Sequence, residues 1–294
     1  MRILLLGKNG QLGWELVRTL APLGEVITVD YPEIDLSRPE TVLKPIRTIR
    51  PQLIVNATAY TAVDRAESEP EKAYAVNAES PGLMAEEARS LRAGLIHYST
   101  DYVFDGTKGS PYNEKDTPNP LSVYGSSKLA GERAIEQTGG AYLIFRTSWV
   151  YSLRRDSFVT KVLQWARQNR SLKLVKDQIS GPTWARMLAE ITAQLIVPGS
   201  SDIHGWMRER CGLYHLAGSG YASRLEWGQA ILKYDPHPEE QVAEEVLPAA
   251  TADFPAPAQR PLFSALDCGC FERTFGLRLP DWELALKLAF DHSA

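Results

Sequence analysis

Cysteine is scarce: three residues in 294, Cys211, Cys268 and Cys270. An odd count with a single C-x-C supplies neither a disulfide framework nor the four-ligand spacing of a structural zinc site. Reduced thiols in a cytoplasmic protein are the expectation. Charge of one sign is also lacking. The net charge is −4, which excludes the strong basic field of a nucleic-acid or anionic-membrane binder. Long apolar runs are missing too. The opening MRILLLG is too short for a signal core and runs into a glycine loop, and no stretch approaches the roughly 18 apolar residues of a membrane span. Internal repeats and low-complexity tracts are absent as well.

What is present is a folded-protein composition, 44% hydrophobic and 23% charged, on a chain sized for one large domain or a domain with a smaller cap. Apolar runs at 2–7, 25–30, 52–57, 94–100 and 141–147 alternate with amphipathic stretches at 11–23, 39–50, 71–91 and 121–137. Continuous apolar strands between helices predict a parallel sheet covered on both faces. The fold class is α/β, a Rossmann-type doubly wound sheet over 1–149. Residues 150–294 are expected to be mostly a smaller, discontinuous substrate lobe whose pieces return to the sheet. There, 157–168, 184–195, 224–233 and 280–290 read as helices, 213–218 and 242–248 as strands, and 198–212 as a loop or hairpin tip. The Ala- and Pro-rich 249–261 reads as an extended wrap.

GKNGQLG (7–13) stands between the first strand and the first helix. Gly7 permits a sharp turn, Gly10 lets backbone approach a pyrophosphate, and Gly13 lets the helix close on the sheet. The free N–H groups of that helix end favour an anion. Asp30 ends the second strand, where an acid binds the adenosine ribose and repels a 2′-phosphate. That favours NADH over NADPH unless cations elsewhere reach the site. Asp35 and Leu36 follow as a candidate adenine contact, with a solvated turn as the rival for Asp35.

Ligands in such folds lie beyond the carboxyl ends of the strands. Those ends carry NATAYTAVD (56–64), YSTDYVFDG (98–106) and RTSWVY (146–151), a concentration of hydroxyls, amides, acids and aromatics. The helix that follows the fourth strand holds Tyr124 and Lys128 on one face. A lysine ammonium is expected to draw a tyrosine towards general acid–base work and to hold ribose hydroxyls. Thr100 would fix a substrate carbonyl. Ser99 rivals it, since strand alternation lets only one of the two face the site.

GxxGxxG at 7–13, the Thr100 region and Tyr124-x-x-x-Lys128 together resemble the extended short-chain dehydrogenase/reductases. GKNGQLGWEL, VNATAYTAVDRAESEPEKAYAVN, HYSTDYVFDG, NPLSVYGSSKLAGE, FRTSWVY and DQISGPT are similar to the dTDP-4-dehydrorhamnose reductase family within them. The likeness spans 1 to about 185 and returns at 212–220, 258–261 and 279–283. It implies reduction of the C4 keto group of dTDP-6-deoxy-L-lyxo-4-hexulose to dTDP-L-rhamnose with NADH or NADPH. It implies Tyr124 as proton donor, Lys128 as its partner and Thr100 on the keto oxygen. Gly10, Gln11 and Leu12 would line the pyrophosphate. Asp30, Asp35 and Leu36 would hold adenosine, and Ala59, Tyr60 and Thr61 would pass along the cofactor. Asp101 and Trp149 would contact the sugar nucleotide, with core packing the rival for Trp149, and Arg260 would meet its diphosphate. The family also implies Mg2+, with no ligand set assignable here, and the amphipathic helices leave a homodimer open. Two other functions stay open: another sugar-nucleotide reductase or epimerase, and a non-catalytic regulatory subunit like that of methionine adenosyltransferase.

Overall fold

A computed structural model describes residues 1–291. Six strands form one parallel sheet. They are β1 (Arg2–Leu6), β2 (Glu25–Val29), β3 (Leu53–Asn56), β4 (Gly94–Thr100), β5 (Ala141–Thr147) and the late strand Gly212–His215. From one edge the order is Gly212–His215, β5, β4, β3, β1, β2. The order reverses at β1, with β2 on one side and β3 on the other, so the ligand crevice is expected at the β1–β3 junction.

Strand alternation sorts the apolar residues into two cores. Ile3, Leu5, Leu53, Val55, Ile96, Leu143 and Phe145 point to one face, and Leu4, Leu6, Ile54, Leu95 and Ile144 to the other. Helix α1 (Gln11–Leu20) covers the first face with Leu12, Leu16 and Leu20. Ala185–Ile196, Ile203–Glu209 and Gly269–Phe275 from the second half of the chain join it there. Leu43–Ile49, Ser80–Leu91 and Val123–Thr138 cover the opposite face. The long helix expected over 71–91 is interrupted by a π-helical turn at Ala75–Glu79.

The expectation for 198–212 was wrong. Ile203–Glu209 is a helix, begun by Asp202, whose carboxylate accepts the Gly205 N–H at 3.0 Å. Its Ile203 and Met207 lie in the sheet core. Gly199 ends a 3-10 turn at Val197–Gly199, and Gly205 falls inside the short helix, which two buried anchors hold in place. Strands Ser171–Val175 and Glu245–Ala249 pair in parallel away from the main sheet. A third core gathers Tyr151, Val159, Val162, Trp227, Ile231, Leu286 and Phe290. The stretch 249–261 is extended apart from a single 3-10 turn at Thr251–Asp253.

Candidate active site

A cleft of about 960 Å3 opens over the carboxyl ends of β1, β3, β4 and β5. Gly7, Gly10, Gln11, Leu12, Asp30, Ala59, Thr61, Thr100, Asp101, Tyr124, Lys128 and Trp149 all line it. The remaining expected residues do not. Gly13 lies beneath, Asp35 and Leu36 sit outside, Tyr60 turns away and Arg260 borders a second cavity.

The phosphate loop is built by contact distance. Gly7 adopts φ +92°, a conformation L side chains rarely take. A Cβ on Gly13 would stand 1.9 Å from the Gly7 carbonyl oxygen, so α1 can approach the loop only with glycine there. Gly10 begins α1 with no side chain capping the helix, which leaves N–H groups free for a ligand. Asp30 accepts the Asn9 N–H at 3.1 Å and ties β2 to the loop. Asp35 instead closes its own turn, accepting from the Ser37 N–H at 3.0 Å and hydroxyl at 2.7 Å. Those two bonds hold its carboxyl below the usual carboxylate range. Leu36 packs at the margin of the second core. Tyr60 donates its hydroxyl to Glu69 at 2.8 Å, and its N–H to Asn77 at 2.8 Å. Asn77 also donates to the Ser127 hydroxyl at 3.0 Å. The π-turn thereby fastens the 57–61 strap to the helix that carries Tyr124.

The competition between Ser99 and Thr100 is decided by hydrogen bonds. Ser99 donates to Glu132 at 2.5 Å, beneath the helix. The Thr100 hydroxyl receives the Tyr102 N–H at 3.2 Å and lies on the cleft wall with Tyr124, whose acidity it raises. Lys128 is buried, its Nζ donating to the Tyr98 carbonyl at 2.6 Å and lying 3.1 Å from His97 Nε2. Burial brings its pKa down to about 8, opposed by the charge of Glu132. Burial drives Tyr124 the other way, well above an ordinary phenol, and only the Thr100 hydroxyl offsets it. The lowering expected from Lys128 does not act here: its Nζ is engaged by Tyr98 and His97, and desolvation governs the phenol. The phenol is a proton-bearing acid. Asp101 is raised to about 6 by burial, although Ser180 at 2.9 Å, Ser264 at 2.5 Å and Thr100 at 3.2 Å all donate to it.

The cleft suits a nicotinamide dinucleotide. Besides the glycine cradle, Gln11 Oε1 and Thr147 Oγ1 are buried polar atoms without a protein partner, and both residues line the cleft. Such groups call for a ligand. No metal cage lines it. Among the described residues, the one cluster of three metal-ligand side chains is exposed His237, Glu239 and Glu240, outside both cavities.

The second cavity, about 720 Å3, is walled by Phe158, Trp165, Arg224, Arg260 and the extended segment 254–260. Arg260 grips Asp64 with two hydrogen bonds, 3.0 and 2.7 Å. Arg224 lies 3.6 Å over the Trp149 ring, which itself stacks on Trp227 at 5.4 Å. Trp149 is thus both core and cleft wall. Tyr102 packs its ring edge-on to Tyr124 at 5.8 Å, and the charges of Arg224 and Arg260 act on its hydroxyl. Sequence reasoning missed Arg224, which nothing in its neighbourhood singles out. It also missed Asn56, His97, Glu132 and Arg146. For His97 and Ser99, alternate polar residues inside an apolar strand were an available signal.

The family model described as RmlD substrate binding domain matches residues 1–294. A dTDP-4-dehydrorhamnose reductase of Burkholderia thailandensis is 41% identical over 297 residues, 98% of this chain and 97% of that protein. The dTDP-4-dehydrorhamnose reductase of Escherichia coli K12 is 42% identical over 294 residues, 98% and 96% of the two chains. The crystal structure of a Clostridium acetobutylicum dTDP-4-dehydrorhamnose reductase superposes with a TM-score of 0.90 at 32% identity, covering 100% of this chain and 99% of that one. A Bacillus anthracis dTDP-4-dehydrorhamnose reductase in complex with NADP gives 0.89 at 32%, covering 99% of each.

Proposed function

The chain belongs to the RmlD substrate binding domain family together with the dTDP-4-dehydrorhamnose reductases, and from that premise we propose that it reduces the C4 keto group of dTDP-6-deoxy-L-lyxo-4-hexulose to dTDP-L-rhamnose, the last step in making that sugar nucleotide. A bound nicotinamide cofactor supplies the hydride. Thr100 donates to the keto oxygen and holds it in line. Tyr124, kept protonated by burial, gives its proton to the alkoxide that forms. The Lys128 ammonium steadies the resulting phenolate.

The observation that carries this is the convergence of Thr100, Tyr124 and Lys128 on one cleft that also holds the unpartnered Gln11 and Thr147 oxygens. The same site argues against a regulatory subunit, which has no use for an intact acid–base set. In this reading the nucleotide diphosphate occupies the second cavity, with Arg224 and Arg260 as its cations, and residues 150–294 mostly serve as the substrate lobe. Asp30 disfavours a 2′-phosphate, but Arg154 and Arg155 line the same cleft, so both NADH and NADPH are expected to serve. The three cysteines are free, as suits a cytoplasmic enzyme. No helix among the described residues is long and apolar enough to cross a membrane.

The test is oxidation of NADH and NADPH with that hexulose, wild type beside Tyr124→Phe. Turnover to dTDP-rhamnose is expected. The phenylalanine variant should lose roughly 10²- to 10⁴-fold in kcat at nearly unchanged KM. Cofactor binding without consumption would remove this substrate and bring the other-sugar and regulatory readings forward.

A further inference from the structure

Beneath Lys128 the sheet carries a polar chain that none of the chemistry above uses. Asn56 on β3 and His97 on β4 are register partners in the parallel ladder, and both point to the face covered by the Val123–Thr138 helix. Asn56 Oδ1 accepts two hydrogen bonds from Thr58, its N–H at 3.0 Å and its hydroxyl at 2.5 Å. A backbone N–H can only donate, so the orientation of the amide is fixed: oxygen towards Thr58, nitrogen towards His97 Nδ1 at 3.0 Å. An amide nitrogen also only donates, which makes Nδ1 the acceptor. A neutral ring with Nδ1 free carries its hydrogen on Nε2, and Nε2 faces Lys128 Nζ at 3.1 Å. His97 is fully buried and held well below the usual histidine range by that burial and by Lys128, so the ring is neutral.

We propose that His97, oriented by Asn56, is a positioning residue for Lys128 that points a ring N–H at the lysine nitrogen, holds it under the Tyr98 carbonyl and favours its uncharged amine. An ammonium in this place meets a donor where it needs an acceptor. Reversing the ring tautomer only moves the conflict to Asn56. The other titratable and charged groups near Lys128 are Tyr124 and Glu132 on its own helix, and Arg146 of β5 beyond Glu132. Glu132 is already engaged by Arg146 at 2.6 Å and by Ser99. With burial already lowering the lysine, His97 is the hydrogen-bonding neighbour left to tune how readily Lys128 gives up its proton. Thr58 lines the cleft, so the chain of contacts starts at the ligand and ends at the lysine.

The proposal rests on Lys128 as the partner of Tyr124, but its first test does not require turnover. The chain has five histidines, and 15N-histidine spectra of wild type and His97→Gln identify the His97 ring. In cofactor-free wild type at pH 7 it should be neutral with its hydrogen on Nε2. Asn56→Asp puts an acceptor opposite Nδ1 and should move the hydrogen to Nδ1, leaving Nε2 to accept from an ammonium. The alkaline limb of kcat/KM, where Lys128 loses its charge, should then rise by about one pH unit or more. A histidine that only fills space would leave that limb in place. Hydrogen on Nδ1 in wild type, a charged ring, or an unmoved limb in a folded Asn56→Asp protein would each overturn the proposal. A correct tautomer in a protein that does not reduce the hexulose would count against the substrate alone.

Discussion

At the scale of single residues, placement depends on what one atom more would strike. Gly13 contributes no chemistry, yet its missing side chain sets the distance between α1 and the phosphate loop. Gly13→Ala would put a methyl 1.9 Å from the Gly7 oxygen against rigid backbone. We expect a loss of about 1–3 kcal/mol of stability in urea unfolding and a larger proportional loss in cofactor affinity, read by fluorescence titration. Asp101 shows the opposite balance. Its carboxyl is raised to about 6 from an ordinary 3.8, so its folded pKa lies above its unfolded one. Below pH 3.8 it costs nothing, and the cost grows as pH rises through 6. Asp101→Asn should therefore lose activity without lowering Tm at pH 7.5, because the serine and threonine hydroxyls can turn to meet an amide. A clear fall in Tm would show that the charge is needed for the fold.

At the scale of elements, the active helix is fastened to the sheet at two places one turn apart. Lys128 meets β4 through His97 and the Tyr98 carbonyl. Glu132 meets β5 through Arg146, a pair only 1% and 4% exposed, with hydrogen bonds of 3.0 and 2.6 Å. Ser99 and Arg146 are register partners, so a single rung of the sheet supplies both groups. A buried pair adds little over apolar packing, but breaking it strands a charge. Arg146→Met should cost about 3–5 kcal/mol in urea unfolding and reduce kcat by loosening Tyr124. Removing both charges with Glu132→Leu and Arg146→Met should recover most of the stability. A double variant as unstable as the single one would show that the pair is more than a satisfied charge. The strands were legible in the sequence because their apolar runs are long and uninterrupted. These anchors were not, because a polar residue inside an apolar run says which face it points to and nothing about the partner it finds there.

At the scale of the whole molecule, buried neutral histidines tie stability to pH. His215 is brought down to about 3, chiefly by burial, and donates Nδ1–H to the Tyr112 carbonyl at 2.9 Å. His97 is lowered as well. Both folded pKa values lie below the unfolded value near 6.5, so the unfolded chain binds the extra protons. Their contribution is complete above about 6.5 and is lost as pH falls towards 3, at roughly 1.4 kcal/mol per pH unit for each ring. Asp101 offsets part of this between 6 and 3.8. The urea midpoint should drop clearly from pH 7 to pH 5. A flat profile would mean that the rings take up protons inside the fold.

The sequence by itself determined the α/β class, five sheet strands, the phosphate loop and the Thr100, Tyr124 and Lys128 set. Each is written in local pattern: uninterrupted apolar runs, glycines at fixed spacing, and two side chains one helical turn apart. The sequence also announced a strand at 213–218 and pieces returning to the sheet, but only the tertiary structure decided their places: Gly212–His215 at the edge beside β5, and Ile203–Glu209, read as a loop, as part of the cover. It also decided that Arg224 and Arg260 wall a second cavity, and that Asn56 and His97 reach Lys128 from below. Those outcomes depend on contacts between residues tens to hundreds of positions apart, and on burial. Burial also reversed the expected acidity of Tyr124, because desolvation depends on everything that surrounds a group, and a local pattern records only its neighbours along the chain.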